Sequence, residues 1–315
     1  MLPATGPGSG GARPRRARAV VKIQDGCDQF CSYCIIPYLR GPLTSRASDE
    51  ITGEIASLAA SGIKEVVLTG IHMGKYEAMS RGANNLAALL RIILKETDIA
   101  RIRLSSIEPV EVTDELIDVI SESKRIAPHL HIPLQSGADR ILSAMNRPYG
   151  AAQFISLIKK ARSCLPEDLA ITTDIIVGFP GETDTDFAVT LNLAAKLSFS
   201  KIHIFKYSDR PLAASSGLPD KVHADVKKER AAELRLLGDK MASEFRLSQL
   251  GREMTVIVES SRDGFSYGIS GNYLLVSFSG NISKGDMVTV TATGEKDGRL
   301  LAELRPALRR EASQI

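Results

Sequence analysis

Three of the chain's four cysteines stand in one short run, Cys27-Asp28-Gln29-Phe30-Cys31-Ser32-Tyr33-Cys34. Thiolates spaced in this way within a single loop can converge on one metal centre. A metal ion or cluster ordinarily takes four ligands, so three leave a position open, which a catalytic centre needs and a structural one avoids. Two plainer alternatives stand beside this reading. One is a structural zinc completed by His72 or another distant residue; the other is three incidental thiols. Structural zinc usually pairs one Cys-x-x-Cys with a second, or with histidines, and no second pair is present. Cys164 stands alone near the end of an expected helix, where a small buried hydrophobe is the expectation.

The cysteine run follows an apolar segment, AVVKI at 19–23, and therefore lies in the loop just past a predicted strand. Further strand-length runs rich in Val and Ile fall at 65–69, 101–105, 130–134, 171–177 and 201–207. Between them lie segments of helical period at 49–61, 86–97, 114–123, 151–163 and 184–197, the last preceded by Thr183 and Asp186 at capping-box spacing. Alternation of this kind implies βα units and a parallel sheet. It suits an open or partial barrel as readily as a doubly wound sheet, and in both the ligands gather at the strands' C-terminal ends.

A long charged helix is expected at 221–249, where Leu234, Leu237, Met241, Phe245 and Leu250 recur at helical spacing and Met241 and Phe245 read as core packing. After Gly251 the pattern changes to short strands broken by Gly, Asn and Asp, an all-β module of about 60 residues, the size of a small barrel. Residues 1–18, rich in Pro, Gly and Arg, read as a flexible basic linker. The expected organisation is thus a linker at 1–18, an α/β domain at 19–247 and a small β-barrel at 248–315.

Composition bounds the function classes. The 315 residues carry 40 Lys+Arg against 37 Asp+Glu, a net charge of +3, with 43% hydrophobic residues and no Trp. That is ordinary for a folded protein of one large domain, or a large and a small one. No apolar run approaches the roughly 20 residues needed to cross a bilayer, so no membrane partner is expected. The N-terminus lacks the apolar region of a signal peptide, and the cysteines do not form a secreted disulfide framework. A reducing cytoplasm is the expected compartment. The net charge does not announce a nucleic-acid partner, although Arg13, Arg15, Arg16 and Arg18 cluster at one end and Arg305, Arg309 and Arg310 at the other.

The cysteine run resembles the cluster loop of radical S-adenosylmethionine (SAM) enzymes, and KIQDGCDQFCSYCIIPYLRGPLTSR (22–46) resembles their methylthiotransferase branch. HIPLQSGADRILSAMNRPY (131–149), TTDIIVGFPGET (172–183) and a β-rich tail similar to a TRAM domain follow in order. The resemblance implies an open parallel β/α barrel of the radical SAM type with a TRAM-like barrel behind it. It also implies a [4Fe–4S] cluster on Cys27, Cys31 and Cys34, with SAM on the remaining iron. Tyr33 would lie by the adenine, and Thr69 and Gly70 by the methionyl amino group. Glu108, Gln135, Ser136, Asp174 and Gly178 would face the cofactor from the strand ends. Arg40, Arg46 and Arg147 are candidate phosphate or carboxylate contacts.

The segment VVLTGIHMGKY (66–76) resembles the enzymes that methylthiolate C2 of N6-threonylcarbamoyladenosine at position 37 of tRNA. The β-barrel would then hold the anticodon stem–loop through Arg252, Arg262, Tyr273 and Arg305, with Tyr267 and Phe278 as further stacking candidates. A reductant such as flavodoxin or ferredoxin would supply electrons. Full-length members carry a second, N-terminal [4Fe–4S] cluster, and with Cys164 the one cysteine left over its ligands are absent from these residues. The sulfur-bearing domain is therefore expected to be missing or supplied separately. Two alternatives follow: a tRNA-binding iron–sulfur protein without turnover, and a methylthiotransferase acting on a ribosomal protein.

Overall fold

A computed structural model describes residues 16–78 and 82–305. The N-terminal domain is built from β1 (Ala19–Lys22), β4 (Glu65–Thr69), β5 (Arg101–Leu104), β6 (His129–His131), β7 (Ala170–Val177) and β8 (Lys201–Lys206). Neighbours β1–β4–β5 and β6–β7–β8 pair in parallel, and bridges Ile102–Ile126 and Ser106–His131 carry the sheet across the gap between the two sets. The result is an open half-barrel rather than a doubly wound sheet. A small antiparallel pair, β2 (Gln24–Asp25) with β3 (Thr44–Ser45), frames the cysteine loop, and α1 (Ile36–Arg40) closes it.

Side chains alternate across each strand, as the pleat requires. Val21, Val66, Leu68, Ile102, Leu130, Ile171, Ile175 and Ile202 point outward into the main core. That core is covered by α2 (Ser48–Ala60), α3 (Leu86–Glu96), α4 (Asp114–Glu122), α6 (Ala151–Cys164), α7 (Asp184–Leu197) and α8 (Ala224–Leu247). The opposite face, with exposed Val20 and Phe205 and half-buried His131, Asp174 and His203, is the lumen. The Thr183–Asp186 capping box forms as the spacing predicts. Elements not expected from the sequence include the short α1, β2 and β3 around the cysteine loop and α5 (Asp139–Ala144), which are too short for periodicity to register.

The C-terminal domain is a closed barrel of β9 (Glu253–Arg262), β10 (Phe265–Ser270), β11 (Leu275–Ser279), β12 (Met287–Lys296) and β13 (Arg299–Leu304), in the order β10–β11–β13–β12–β9. Its core holds Val256, Val258, Val276, Phe278, Val290 and Leu300, so Phe278 is filling rather than a stacking surface. The packing corrects a further expectation. Cys164 is exposed, because it falls on the solvent side of the last turn of α6. Leu250 is exposed as well, since the helix ends at Leu247 before that position returns to the core. Met241 is buried as expected.

The two domains are joined by a buried ionic network. Glu65, at the N-terminal end of β4, pairs with Arg101 at 2.5 Å and with Arg103 at 2.9 Å. The same guanidiniums donate to the barrel's backbone: Arg101 to the carbonyls of Thr255 (3.0 Å) and Ile269 (3.2 Å), Arg103 to those of Ser270 (3.0 Å) and Gly271 (2.9 Å). Arg18, at the end of the segment read as linker, joins the network, 3.6 Å from Glu65 and 2.8 Å from Glu259. Residues 1–15, with Arg13 and Arg15, and residues 306–315, with Arg309 and Arg310, lie outside the described residues.

Candidate functional site

The cysteine loop leaves the first strand at its C-terminal end and is tied down on both sides. Gly26 has φ +77°, and a Cβ there would stand 1.9 Å from the carbonyl oxygen of Pro42, so only glycine fits. The Cys27 N–H donates to Gly41 O at 3.2 Å. Across the lumen rim, the Ser32 N–H reaches Met145 O at 3.0 Å and its hydroxyl reaches Ala144 O at 2.7 Å. The short helix α5 is thus what anchors the far side of the loop.

All three thiols are free and half-buried. Cys31 Sγ accepts from Arg147 Nη1 at 3.1 Å, Cys34 Sγ from the Ile36 N–H at 3.5 Å, and Cys27 Sγ lies 3.5 Å from His72 Nδ1. Burial pushes the Cys31 and Cys34 thiols up, with Arg147 partly opposing it at Cys31. Cys34 also lies close enough to Cys27 and Cys31 for their charges to interact. No three His, Cys, Asp or Glu side chains among the described residues are gathered around one point at single-ion distance. His72 makes a 2.5 Å ion pair with Glu111, and Gly74 must be glycine because a Cβ would sit 2.0 Å from that carboxylate.

Arg147 ties the loop to the next strand end. Besides Cys31, it pairs with Glu108 and lies 3.4 Å from the Tyr33 hydroxyl and 3.0 Å from that of Tyr149. Burial pushes the Glu108 carboxyl up, and the guanidinium opposes that. Tyr33, Gln135 and Asp174 then share a cavity of about 280 Å³ with Ile176, Phe205, Tyr207 and Arg210. Gln135 takes a left-handed backbone (φ +63°), which lets its N–H reach Asp174 O at 2.8 Å and its carbonyl receive the Ile176 N–H at 2.9 Å. Tyr33, between Cys31 and Cys34, therefore brings the cysteine loop to a recess at the C-terminal ends of parallel strands, where such barrels bind their ligands.

A family model for the radical SAM superfamily matches residues 21–194. The chain belongs to that superfamily.

Within it the chain is a member of the tRNA methylthiotransferases by similarity. It is 40% identical over 271 residues to the threonylcarbamoyladenosine tRNA methylthiotransferase MtaB of Bacillus subtilis, covering 84% of this chain and 60% of that protein. It is 38% identical over 306 residues to the tRNA-2-methylthio-N(6)-dimethylallyladenosine synthase of Pelotomaculum thermopropionicum, covering 96% and 68%. The chain thus spans about 60% of the length of the first of these relatives. Among solved structures, the coproporphyrinogen III oxidase HemN of Escherichia coli shares the fold at TM-score 0.53 and 16% identity, over 90% of this chain and 69% of that one.

The remaining site positions of this radical SAM chain separate into groups. Thr69 ends β4 and Gly70 follows it, where a Cβ on Gly70 would meet Gln24 Oε1 at 2.9 Å. Ser136 is buried, its hydroxyl engaged by Thr190 at 3.2 Å and by the Ala138 N–H at 3.2 Å. Gly178 has φ +73°, lies against the Lys227 side chain, and donates its N–H to Glu182 at 2.6 Å. Arg46 bonds Lys22 O and Glu54, both at 2.8 Å, and Arg40 stays exposed. In the barrel, Arg252 pairs with Glu167 at 3.2 Å and Arg305 with Glu253. Arg262 stacks at 5.1 Å over Tyr267, flanked by Arg299 at 5.5 Å. Tyr273 faces the lumen instead of the outer barrel surface.

Several lumen residues were not among the expected set, His131, His203 and Phe205 among them. Their signal was available, since polar or aromatic residues recur at every second position in HLH (129–131) and in HIF (203–205).

Proposed function

We propose that this chain is the radical-generating and RNA-binding part of a tRNA methylthiotransferase, replacing C2–H of N6-threonylcarbamoyladenosine at position 37 by C2–S–CH3. The observation that carries it is a loop of three free thiols whose Tyr33, between Cys31 and Cys34, lines the same recess as Gln135 and Asp174. The donor set fits a [4Fe–4S] cluster: three thiols of one loop, none in a disulfide and all half-buried. Cys27, Cys31 and Cys34 would hold it. With SAM bound, the cluster would supply a carbon-centred radical for hydrogen-atom abstraction, chemistry that belongs to the cofactor.

The chain's own residues would orient and enclose that chemistry. Arg147 holds the Cys31 sulfur and Glu108 in fixed register, and Tyr33 and Asp174 line the recess that would receive the adenosyl part of SAM. Phe30 and Tyr38, ring centroids 5.7 Å apart, cover the outer side of the loop. The one other cysteine in these 315 residues is Cys164, so the transferred sulfur is proposed to come from outside them, from a separate sulfur-bearing domain. A cytoplasmic reductant of the flavodoxin or ferredoxin kind would complete the system.

The test is anaerobic reconstitution of the full chain followed by SAM and reductant. About four irons and four sulfides per chain, with 5′-deoxyadenosine release that Cys31→Ala abolishes, support the reading. Undiminished release from the variant, or bound zinc in place of iron, overturns it.

A further inference from the structure

Below the strand ends, the lumen contains a second recess of about 350 Å³, sharing Asp174 and Phe205 with the upper cavity. Its walls are Val67, Leu104 and Phe205, and its polar groups are Ser105, Ser106, His131, Thr172 and His203. Its floor is Tyr273, supplied by the other domain. That residue adopts φ +66°, a strained conformation for a tyrosine, and it lies 4.8 Å from the His129 ring and 4.8 Å beneath the Arg103 guanidinium.

One side of the recess is internally satisfied. The Thr172 hydroxyl is shared by His129 Nε2 at 3.1 Å and His131 Nδ1 at 2.8 Å, and His131 Nε2 lies 3.2 Å from Asp174. The other side is not. Among the described residues, neither the His203 imidazole nor the hydroxyls of Ser106 and Tyr273 form a hydrogen bond. Burial and Lys201 lower His203, so near neutral pH it is an uncharged ring with one donor and one acceptor.

The recess also has an approach. A groove of about 480 Å³, lined by Lys201, Arg235 and Arg246, runs between β8, α8 and the barrel, and shares Thr172, His203, Phe205 and Tyr273 with the recess. Phe205 is 52% exposed where the two meet, a free aromatic face on which an unstacked base can lie.

We infer that this recess is the subsite that selects the substituent on N6 of the target adenosine, taking a hydroxyl- and carboxylate-bearing group through His203, Ser106 and Tyr273 and rejecting an isoprenoid one. The inference rests on the proposed tRNA reading and deepens it. An aliphatic chain seated here would strip water from three polar groups and return no hydrogen bond, which is the costly half of the exchange. A threonylcarbamoyl group brings a hydroxyl, a carboxylate and amide N–H groups, and matches them.

The experiment uses the full chain and three anticodon stem–loop RNAs of one sequence. Their target adenosine carries an N6-threonylcarbamoyl group, an N6-dimethylallyl group or no substituent. Fluorescence anisotropy should show the first bound about tenfold more tightly than the second. His203→Leu should bring the two within about twofold, and Tyr273→Phe, which keeps the ring contacts, should narrow the ratio by about threefold. Equal binding of all three RNAs, preference for the dimethylallyl form, or an unchanged ratio in both variants overturns the inference and leaves the tRNA reading standing. Failure to bind any of the three overturns both.

Discussion

Arg147 Nη1 lies 3.1 Å from Cys31 Sγ, across 116 residues of sequence. The same guanidinium pairs with Glu108 and has an almost fully buried side chain. Removing it leaves a largely buried carboxylate alone. Arg147→Met should therefore destabilise the cluster-free protein by about 3 kcal/mol, and adding Glu108→Gln should recover most of that loss. Urea unfolding of the single and double variants is the measurement. A double variant no more stable than the single one would rule out the pairing as the cause.

Gly26 and Gly62 both take positive φ, but with different surroundings. A Cβ on Gly26 meets Pro42 O at 1.9 Å, whereas one on Gly62 meets nothing within 4 Å. Gly26→Ala should cost about 3 kcal/mol and abolish iron uptake, while Gly62→Ala should cost about 1 kcal/mol and leave iron uptake intact. Iron content after reconstitution distinguishes a distorted loop from a generally weakened fold.

The Glu65 network predicts a pH dependence. Burial alone would raise its carboxyl, but Arg103, Arg101 and Arg18 outweigh that and hold it below the usual range. A carboxyl lowered on folding contributes stability above its unfolded pKa and loses it as pH falls through the folded value. Wild type should therefore exceed Glu65→Gln by about 3 kcal/mol at pH 7, with the gap closing below about pH 4. A gap that stays constant with pH would show that the ionic form contributes nothing.

Thiol reactivity should follow burial. Cys164 is exposed, and burial pushes the Cys31 and Cys34 thiols up. Brief iodoacetamide treatment of the native cluster-free chain should label Cys164 before either of them. Peptide mass spectrometry reads the order, and early labelling of Cys31 would contradict the loop's packing.

On the barrel, the arginines differ in what already engages them. Arg252 and Arg305 are paired with glutamates, while Arg262 and Arg299 flank Tyr267. Arg262→Ala with Arg299→Ala should weaken tRNA binding and lower the slope of log K against log salt by about 2. Arg252→Ala should change that slope by less than about 0.5. Filter binding across a salt series tests both.

The strands of the half-barrel were legible because each is a short Val/Ile run bounded by turns, and the cysteine loop because its spacing is local. What stayed hidden was long-range. Phe278 and Tyr273 look equivalent as barrel aromatics, yet one fills the β-core and the other turns toward the half-barrel on a left-handed residue. Arg147 reads from the sequence as a phosphate or carboxylate contact, and it does pair with the Glu108 carboxylate, but nothing local announces that α5 and the chain after it carry it back to Cys31. Ser136 and Gly178 sit just past strand ends, yet tertiary packing claims both, since each meets a helix from far along the chain.

Tyr273 gives the lumen a floor that its own half-barrel does not encode. Exchanging the C-terminal barrel for that of a relative would therefore change the depth and polarity of a pocket some distance from the splice. Such a chimaera would inherit its nucleoside preference from the donor of the small domain as much as from the donor of the large one.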